Sequence, residues 1–276
     1  MQQNGNKKQE KKSNKWSMPK IPSKSRQINS MNDLWQRFMA LSRLIGSGTD
    51  NEYEQSDIRI VTVGLNPSDR EFKRDKDATT YDVSYRFPSA IVGNPATYPK
   101  AWNEYFMHHP YNWFYNFERV LQGAGASYGG KLPERMGEQD HPIRRAIHTD
   151  LCSSYATAPT WSKLSREERE ETLAQEGILR WKEQMEQLQP DIIITAIAKE
   201  YWRELPITDI SNLYVITETK DGGKRKYLTI IRKGYWNGIL VILGATSYVP
   251  FGSICSAEQK HIGELILQTY KEMKRK

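Results

Sequence analysis

Short apolar runs, each bounded by polar or turn-forming residues, recur along the chain and are typical of buried β-strands. They predict strands at residues 58–63, 146–151, 191–197 and 239–244. Between these runs, apolar residues recur every three or four positions, which predicts helices near residues 34–45, 112–122, 165–189, 199–204 and 256–273. Because strands and helices alternate, we predict an α/β fold with three α/β/α layers and a mainly parallel central sheet.

Residues with known capping and turn preferences support these boundaries. Ser165 followed by Glu168 predicts a capping box at the start of a helix, and Ser256 with Gln259 repeats the spacing at the last helix. Asp221-Gly222-Gly223 separates two apolar segments, 213–218 and 227–232. Residues of this kind adopt positive φ in tight turns, so the pattern predicts a β-hairpin.

The predicted strand at 58–63 ends abruptly at Gly64-Leu65-Asn66-Pro67-Ser68. Glycine allows a tight backbone path, and proline fixes its own φ and removes a hydrogen-bond donor. In an open α/β sheet, functional residues lie beyond the carboxyl ends of the strands. Asn66 is the first polar side chain past this end and is therefore a candidate site residue. A strand followed by an ordinary Asn-Pro turn explains the same residues.

Residues 69–100 form a long segment without a regular pattern, and aromatic residues are common in its second half. Loops of this length in compact domains are usually functional or disordered, and the aromatic content argues against disorder. Phe87, with Tyr85 second, is our candidate for a ring that stacks on a nucleic-acid base. The alternative is a satellite hydrophobic cluster beneath a long loop.

A polar triplet, His148-Thr149-Asp150, interrupts the apolar run at 146–151. Functional residues are expected where local patterns conflict in this way. The three side chains are candidates to bind the edge of a substrate, and Asp150 is a candidate for a base stronger than an amide, as are Asp69 and Glu71. His148 can equally be a satisfied strand histidine.

The charge of the chain is concentrated at one end. Residues 1–30 contain eight basic residues and one acidic residue, which accounts for the whole net charge of +7, and residues 31–276 contain 32 of each. We predict a disordered basic tail at 1–29 and a single globular domain at 30–276. A polybasic arm speeds encounters with polyanions such as DNA, although it can also serve only as a solubilising tail.

Several classes of protein are excluded by what the sequence lacks. The two cysteines, Cys152 and Cys255, cannot hold a zinc or iron–sulfur site by themselves, and no His/Asp/Glu cluster has metal-ligand spacing. No apolar run is long enough to span a bilayer, and the dinucleotide fingerprint and the phosphate-binding P-loop are both absent. We therefore expect a cytoplasmic protein without a cofactor, metal or signal peptide.

The order of these segments resembles the uracil-DNA glycosylase superfamily, most closely its mismatch-specific (thymine/uracil) branch. The similarity spans residues 57–270 and rests on Gly64-Leu65-Asn66-Pro67, which is similar to that branch's first motif. Four further segments follow in the family's order: an aromatic helix, a strand ending in polar residues before Pro-Thr, a Gln-Pro-strand-helix segment, and a strand feeding a DNA-contacting loop, at 112–125, 146–160, 189–201 and 239–252.

The resemblance implies a monofunctional DNA glycosylase that flips a pyrimidine and hydrolyses its N-glycosidic bond, leaving an abasic site. Asn66 would position the attacking water, with Asp150 as a second catalytic candidate. Backbone N–H groups near Leu65 and Ser68 would bind the base's carbonyl oxygens, and His148 and Thr149 its edge. The loop after 244 would contact DNA: phosphates through Thr246, Ser247 and Ser253, and the duplex through a wedge of Tyr248, Pro250 and Phe251. The wedge residues can instead pack on the sheet edge.

The second motif departs from the family pattern. Gly244-Ala245-Thr246-Ser247 stands where most branches have His-Pro-Ser or Asn-Pro-Ser, so no imidazole is available there to stabilise a leaving base anion. Together with the long 69–100 segment, this suggests a non-standard base. Since family members act in phage defence, a hypermodified cytosine in viral DNA is one candidate.

Two other functions fit the same residues. The chain can be a non-catalytic nucleic-acid-binding module on this fold, or a small hydrolase that processes free nucleosides. For the glycosylase and for the binding module, the expected partner is double- or single-stranded DNA. We expect a monomer.

Overall fold

The computed structural model describes residues 51–66, 87–91, 94, 97, 100, 101, 104–106, 112–128, 144–152, 161–172, 177–216, 228–244 and 249–275. The predicted basic tail and the predicted helix at 34–45 lie outside these residues, as does most of the aromatic 69–100 segment.

Helices and strands alternate over most of the described chain. In order, the elements are α1 (Asn51–Glu54), β1 (Ile60–Gly64), α2 (Phe114–Gly123), β2 (Ala126–Ser127), β3 (Arg144–Asp150), α3 (Arg166–Thr172), α4 (Ile178–Leu188), β4 (Ile192–Thr195), β5 (Thr208–Ile216), β6 (Thr229–Trp236), β7 (Ile239–Leu243) and α5 (Ser256–Lys274). Two 3₁₀ helices, Trp161–Lys163 and Lys199–Glu204, precede α3 and β5. The alternation confirms the predicted α/β class.

The described strands form one seven-stranded sheet with the order β2-β3-β1-β4-β7-β6-β5. The first five of these strands are parallel, and β7, β6 and β5 are joined by antiparallel pairings. The sheet is therefore mixed, with an antiparallel edge added to a parallel centre, which is a common arrangement in large sheets. The central strands β1, β4 and β7 are the most deeply buried.

Both faces of the sheet are covered by hydrophobic side chains. On the first face, Ile60 and Ile194 pack with residues of α2 and α5. On the second face, Val63 and Ile193 pack with Trp181 of α4. Strands buried on both faces read as continuous apolar runs, which is why 191–197 and 239–244 were recognisable from sequence.

The two helices of the first face approach closely through glycine. A Cβ atom added at Gly263 of α5 would lie 2.0 Å from Val120 O, and one at Gly123 of α2 would lie 1.8 Å from Lys260 O. Neither position has room for a side chain. This contact fixes α2 against the sheet beside the carboxyl end of β1.

The described parts of the helix predicted at 165–189 are α3 and α4, and residues 173–176 between them lie outside the described residues. The capping box at its start is confirmed: the Ser165 N–H donates to Glu168 Oε2 (2.7 Å) and the Glu168 N–H donates to Ser165 Oγ (3.1 Å). The expected cap at Gln259 is wrong, because this side chain turns back to the preceding loop, where its Nε2 donates to Phe251 O and Ile254 O.

The predicted hairpin is present as the antiparallel pair β5 and β6, which is longer than expected. A second hairpin, β6–β7, turns through Asn237 and Gly238, whose φ values of 49° and 78° fit a two-residue turn. No helix in the described part of the chain is both long and apolar enough to cross a membrane.

Candidate active site at the carboxyl ends of β1 and β3

Parallel pairing brings the ends of β1 and β3 to the same edge of the sheet. Gly64 is paired with Asp150. The two chains stay together past the strands, because the Leu151 N–H donates to Gly64 O (3.0 Å) and the Cys152 N–H donates to Leu65 O (2.8 Å). Asn66, half-buried, follows directly. The structure thus places the two predicted catalytic residues at the ends of neighbouring strands, with Asn66 two residues past β1 and Asp150 as the last residue of β3.

His148 and Asp150 lie on the same face of β3, as alternate residues of a strand do. His148 Nε2 is 3.7 Å from Asp150 Oδ1, and their side chains are 10% and 15% exposed. This separation is longer than a hydrogen bond but short enough for a strong electrostatic contact. The imidazole and the carboxylate are thus mostly buried but still accessible to solvent.

Gly64 makes this arrangement possible. A Cβ atom at this position would lie 2.8 Å from Asp150 Oδ1, 3.1 Å from a ring carbon of Trp113 and 3.3 Å from His148 Nε2. Three side chains therefore converge on the space that any other residue would fill. The glycine of the Gly-Leu-Asn-Pro segment serves close approach, rather than an unusual φ.

Aromatic rings surround the imidazole of His148. Phe114 and Trp113 meet it edge to face, with centroids 4.9 Å and 5.4 Å away, and Phe117 and Tyr128 follow at 6.0 Å and 6.3 Å. Three of these rings come from α2 and its first turn, and Tyr128 directly follows β2. Trp113 is half-buried, so this ring borders both the histidine and solvent.

The other side of the imidazole is held by hydroxyl groups. Thr62 Oγ1 is 2.8 Å from His148 Nδ1 and is also hydrogen-bonded to the hydroxyl of Tyr128. Burial raises the pKa of the Tyr128 hydroxyl well above its ordinary value, although the hydrogen bond with Thr62 opposes this shift. The phenol is therefore a neutral hydrogen-bond donor at any physiological pH.

The main chain at the end of β3 is fixed from the second face. Arg180 of α4 is 6% exposed, and its Nη2 donates to Asp150 O (2.9 Å) while Nη1 donates to Gln184 Oε1 (3.0 Å). The guanidinium thus contacts the carbonyl of Asp150 and leaves its carboxylate to face His148.

Thr149 does not join this group. Its side chain lies on the second face, 7% exposed, where it accepts a hydrogen bond from Trp181 Nε1 (3.1 Å) and donates to Thr62 O (3.4 Å). The strand's two-residue period turns it away from its neighbours His148 and Asp150. The predicted role in binding a base edge is therefore corrected to core packing.

The ring predicted to stack on a base is also part of the core. Phe87 is fully buried and stacks on Tyr105, with ring centroids 4.7 Å apart. A ring with no accessible surface has no face to offer a ligand, which corrects the expectation for Phe87. Leu65 is half-buried, and its side chain packs on the second face while its carbonyl accepts from Cys152. Tyr85 and Ser68 lie outside the described residues.

The predicted DNA wedge is packed inward. Pro250 is buried, and the fully buried Phe251 packs on Phe117, with centroids 5.8 Å apart, and over Gly244. This conformation needs an unusual backbone, since Phe251 has a φ of 52°. Gln259, 2% exposed, holds the loop by bonding two of its carbonyls. Pro250 and Phe251 therefore pack inward, as the alternative to a DNA wedge predicted.

Ser253 in the same loop is half-buried. The remaining predicted DNA-contacting residues, Thr246, Ser247 and Tyr248, lie outside the described residues.

Four residues of this site were not identified from sequence: Thr62, Trp113, Tyr128 and Arg180. Thr62 carried a usable signal, because it is a hydroxyl residue inside an apolar strand two positions before Gly64. Trp113 and Tyr128 are ordinary aromatic residues near predicted elements, and only their contacts with His148 distinguish them. Among the described residues, no group of three His, Cys, Asp or Glu side chains is positioned to hold a metal ion.

Comparisons with protein-family models, with curated proteins and with solved structures found no match to this chain. The chemistry available at the site therefore has to be argued from its own residues. An imidazole and a carboxylate converge beside a half-buried aromatic ring, and an amide follows the end of the neighbouring strand. Such a set can orient a water molecule, accept its proton and hold a flat, uncharged group nearby.

Proposed function

We propose that this protein is a monofunctional DNA glycosylase that hydrolyses the N-glycosidic bond of a flipped pyrimidine, acting as a monomer in the cytoplasm without a cofactor. The observation that supports the proposal is the close pair of His148 and Asp150 at the carboxyl end of β3, with Asn66 just past the end of the paired strand β1. Ligands of open α/β sheets bind at this edge. The three-layer α/β/α arrangement of the uracil-DNA glycosylase superfamily is part of the same proposal.

The reaction requires a water molecule beneath the sugar and a group to take its proton. Breaking the glycosidic bond creates positive charge on the sugar, as in glycoside hydrolysis, so a carboxylate near the sugar also stabilises the transition state. In our proposal Asn66 orients the water and Asp150 accepts its proton. His148 Nε2, 3.7 Å from Asp150 Oδ1, holds that carboxylate in place.

Base recognition is assigned to Trp113 in place of Phe87. Trp113 is half-buried and borders Gly64, His148 and Asp150, whereas Phe87 has no accessible surface. Stacking on an aromatic ring contributes about 1–3 kcal/mol per base and suits any flipped pyrimidine. The departures from the family's second motif support a modified base, and a hypermodified cytosine in phage DNA is one candidate.

DNA is the proposed partner because all of the net charge of +7 lies in residues 1–30. Lysine and arginine residues contribute salt-dependent, sequence-independent affinity for phosphates. Thr246, Ser247 and Ser253 remain candidates for phosphate contacts.

The proposal is tested by base release from a panel of duplex and single-stranded DNA. The panel contains uracil, mismatched thymine, hydroxymethylcytosine, glucosylated cytosine and normal bases, followed by alkaline cleavage at abasic sites. We expect strand scission at one modified position and its loss, by a factor of at least about 100, in Asn66→Ala.

The matched control is Asn212→Ala, which removes an exposed asparagine from β5 at the opposite edge of the sheet. This variant should retain wild-type activity. Scission that survives Asn66→Ala would contradict the assignment. Salt-sensitive DNA binding without scission on any substrate would favour the binding module, and turnover of free nucleosides without DNA dependence would favour the small hydrolase.

A further inference from the structure

A chain of buried side-chain contacts leads from Tyr128 to the proposed catalytic carboxylate. It runs from the Tyr128 hydroxyl to Thr62 Oγ1, from Thr62 Oγ1 to His148 Nδ1 (2.8 Å), and from His148 Nε2 to Asp150 Oδ1 (3.7 Å). Tyr128 and Thr62 are 3% and 0% exposed. Neither residue reaches the solvent, so neither can contact a substrate.

The direction of these hydrogen bonds follows from counting donors. The Tyr128 hydroxyl has one proton, burial keeps it protonated, and its recorded partner among the described residues is Thr62 Oγ1. A buried hydroxyl that fails to donate is costly, so Tyr128 donates to Thr62. The Thr62 hydroxyl must then donate its own proton to another acceptor.

Two acceptors lie near the Thr62 hydroxyl. His148 Nδ1 is 2.8 Å away and Ile147 O is 3.4 Å away. If Nδ1 carried the proton, the Thr62 hydroxyl would be left to donate over the longer distance to Ile147 O, so the two distances favour donation from Thr62 to Nδ1. An imidazole nitrogen that accepts a hydrogen bond carries no proton in the neutral ring, which leaves the proton on Nε2.

We propose that Thr62 and Tyr128 are positioning residues that hold His148 in the neutral tautomer with its proton on Nε2, directed at Asp150. The Nε2–H group then faces Asp150 Oδ1 at 3.7 Å and attracts, without a direct hydrogen bond, the carboxylate that receives the proton of the attacking water. The role of these two residues in turnover rests on the proposed hydrolase function, whereas the tautomer is a property of the folded chain alone.

The surroundings of His148 leave few competing groups. Among the described residues, the rings of Phe114, Phe117 and Trp113 cover it from α2, and Asp150 is the carboxylate on its own strand. Glu118 also lies on α2, but its Oε2 accepts from the Tyr128 N–H (3.1 Å) and does not contact the imidazole. Within this set, Thr62 is the residue whose hydroxyl can select the tautomer.

The first measurement is the ¹⁵N NMR spectrum of the histidine side chains above neutral pH, assigned to His148 with a His148→Gln variant. The two ring nitrogens of a neutral imidazole differ widely in chemical shift according to which one carries the proton. We expect a single tautomer protonated on Nε2 in the full-length wild-type protein. In Thr62→Val, which keeps the shape and removes the hydroxyl, we expect a mixture or a shift to the Nδ1-protonated form.

The second measurement is kinetic. Thr62→Val should lower kcat for base release by about 10-fold to 100-fold with little change in KM, because it misorients a catalytic group without removing a substrate contact. Thr62→Ser, which restores the hydroxyl, should recover both the tautomer and most of kcat. Tyr128→Phe should have a smaller effect, since Thr62 can still donate to Nδ1.

Thr195→Val is the matched control. Thr195 is a fully buried threonine on the adjacent strand β4, and its hydroxyl donates to Ile242 O (3.0 Å), away from His148. Its replacement should cost stability in thermal unfolding as Thr62→Val does, with the tautomer and kcat unchanged. A wild-type proton on Nδ1, or a tautomer unaffected by Thr62→Val, would overturn the proposal. Absence of base release in every variant, with the tautomer as expected, would instead overturn only the proposed hydrolase.

Discussion

The amino and carboxyl ends of the central strands carry polar clusters that differ in how closely their charged groups are paired. At the amino end, Asp191 accepts hydrogen bonds from the Arg59 N–H (3.0 Å) and the Tyr270 hydroxyl (2.7 Å), and Lys274 Nζ lies 3.9 Å away. Beside it, Arg144 binds Asp57 through two hydrogen bonds of 2.7 Å and 2.8 Å. Each charge in this cluster has a close partner of opposite sign or a hydrogen bond.

At the carboxyl end, the carboxylate of Asp150 has a looser environment. Its recorded side-chain contact among the described residues is His148 Nε2 at 3.7 Å, and the nearby Arg180 bonds to its main-chain carbonyl instead. A carboxylate that is fully engaged contributes to stability, while one with free acceptor capacity next to solvent can take part in chemistry. We expect this contrast to separate the two ends in experiment, with effects on stability at the amino end and on the proposed reaction at the carboxyl end.

The largest expected effect comes from the same substitution made at each end. Asp150→Asn should lower kcat for base release by about 100-fold to 10,000-fold, the usual contribution of a positioned acid or base, and change the free energy of unfolding by less than about 1 kcal/mol. Asp191→Asn should leave kcat unchanged and cost about 1–3 kcal/mol of stability, because it weakens the hydrogen bonds from the Arg59 N–H and the Tyr270 hydroxyl. Steady-state kinetics measures kcat of both variants, and urea unfolding measures their free energy of unfolding. Equal losses of kcat in the two variants would contradict the proposed difference between the two ends.

The second prediction compares substitutions of two aromatic residues on the first face, Trp113 and Phe87. Trp113→Leu should lower kcat/KM by about 10-fold to 100-fold, since it removes the proposed stacking surface. Phe87→Leu should leave kcat/KM unchanged and cost less than about 2 kcal/mol of stability, as expected for a buried hydrophobic exchange of similar volume. If Phe87→Leu is the variant that loses kcat/KM, the original prediction for Phe87 is correct and the assignment to Trp113 is not.

A third comparison concerns the pH dependence of stability. Burial raises the pKa of Glu118 from its ordinary 4.5 to about 7, against opposing hydrogen bonds from Ser127 and Tyr128. The folded state therefore binds more protons than the unfolded state between these values, and the free energy of unfolding falls as pH rises through this window. The fall amounts to about 3 kcal/mol at most.

Asp57 behaves in the opposite way, because the hydrogen bond from Arg144 lowers its pKa. Its contribution to stability is present above its ordinary pKa and is lost as pH falls below that value. In Glu118→Gln, the free energy of unfolding should therefore change less between pH 4.5 and about 7. Its fall at lower pH, to which Asp57 contributes, should remain. Denaturant unfolding across pH checks this, and an unchanged slope in the variant would contradict the role of Glu118.

The smallest effect is expected at Gly64. In Gly64→Ala, the added Cβ would lie 2.8 Å from Asp150 Oδ1, and this flexible carboxylate can move away at little cost. We expect less than about 1 kcal/mol of lost stability and a drop in kcat of about 10-fold, because the carboxylate leaves its position. The effect should be absent in the Asp150→Asn background, and a double-mutant cycle measures that dependence. Additive losses would show that Gly64 acts elsewhere.

The elements of the fold follow closely from local sequence. The buried strands at 58–63, 191–197 and 239–244 and the capping box at Ser165 were predicted because they depend on neighbouring residues only. The Asn237-Gly238 turn was missed although its signal is local.

The candidate site was predicted in part. Asn66, His148 and Asp150 were identified because each is polar where a strand pattern expects an apolar residue or an end. Thr149 shows the limit of that signal: the triplet was treated as one unit, whereas strand alternation sends it to the other face, where it bonds to Trp181. Phe87 and Phe251 were assigned to ligands because ring chemistry alone does not indicate burial.

Local sequence is sufficient for the strands, the α/β class and the polar residues at the ends of β1 and β3, because hydrophobic period and turn chemistry act over a few residues. The partners of those polar residues required the folded chain. Thr62 and Tyr128 are 66 positions apart, and Thr62 and His148 are 86 apart. Contacts over such separations depend on strand order, register and helix packing, which no short segment encodes. Which side chains face the imidazole, and where the carboxylate of Asp150 lies relative to it, therefore follows from tertiary packing.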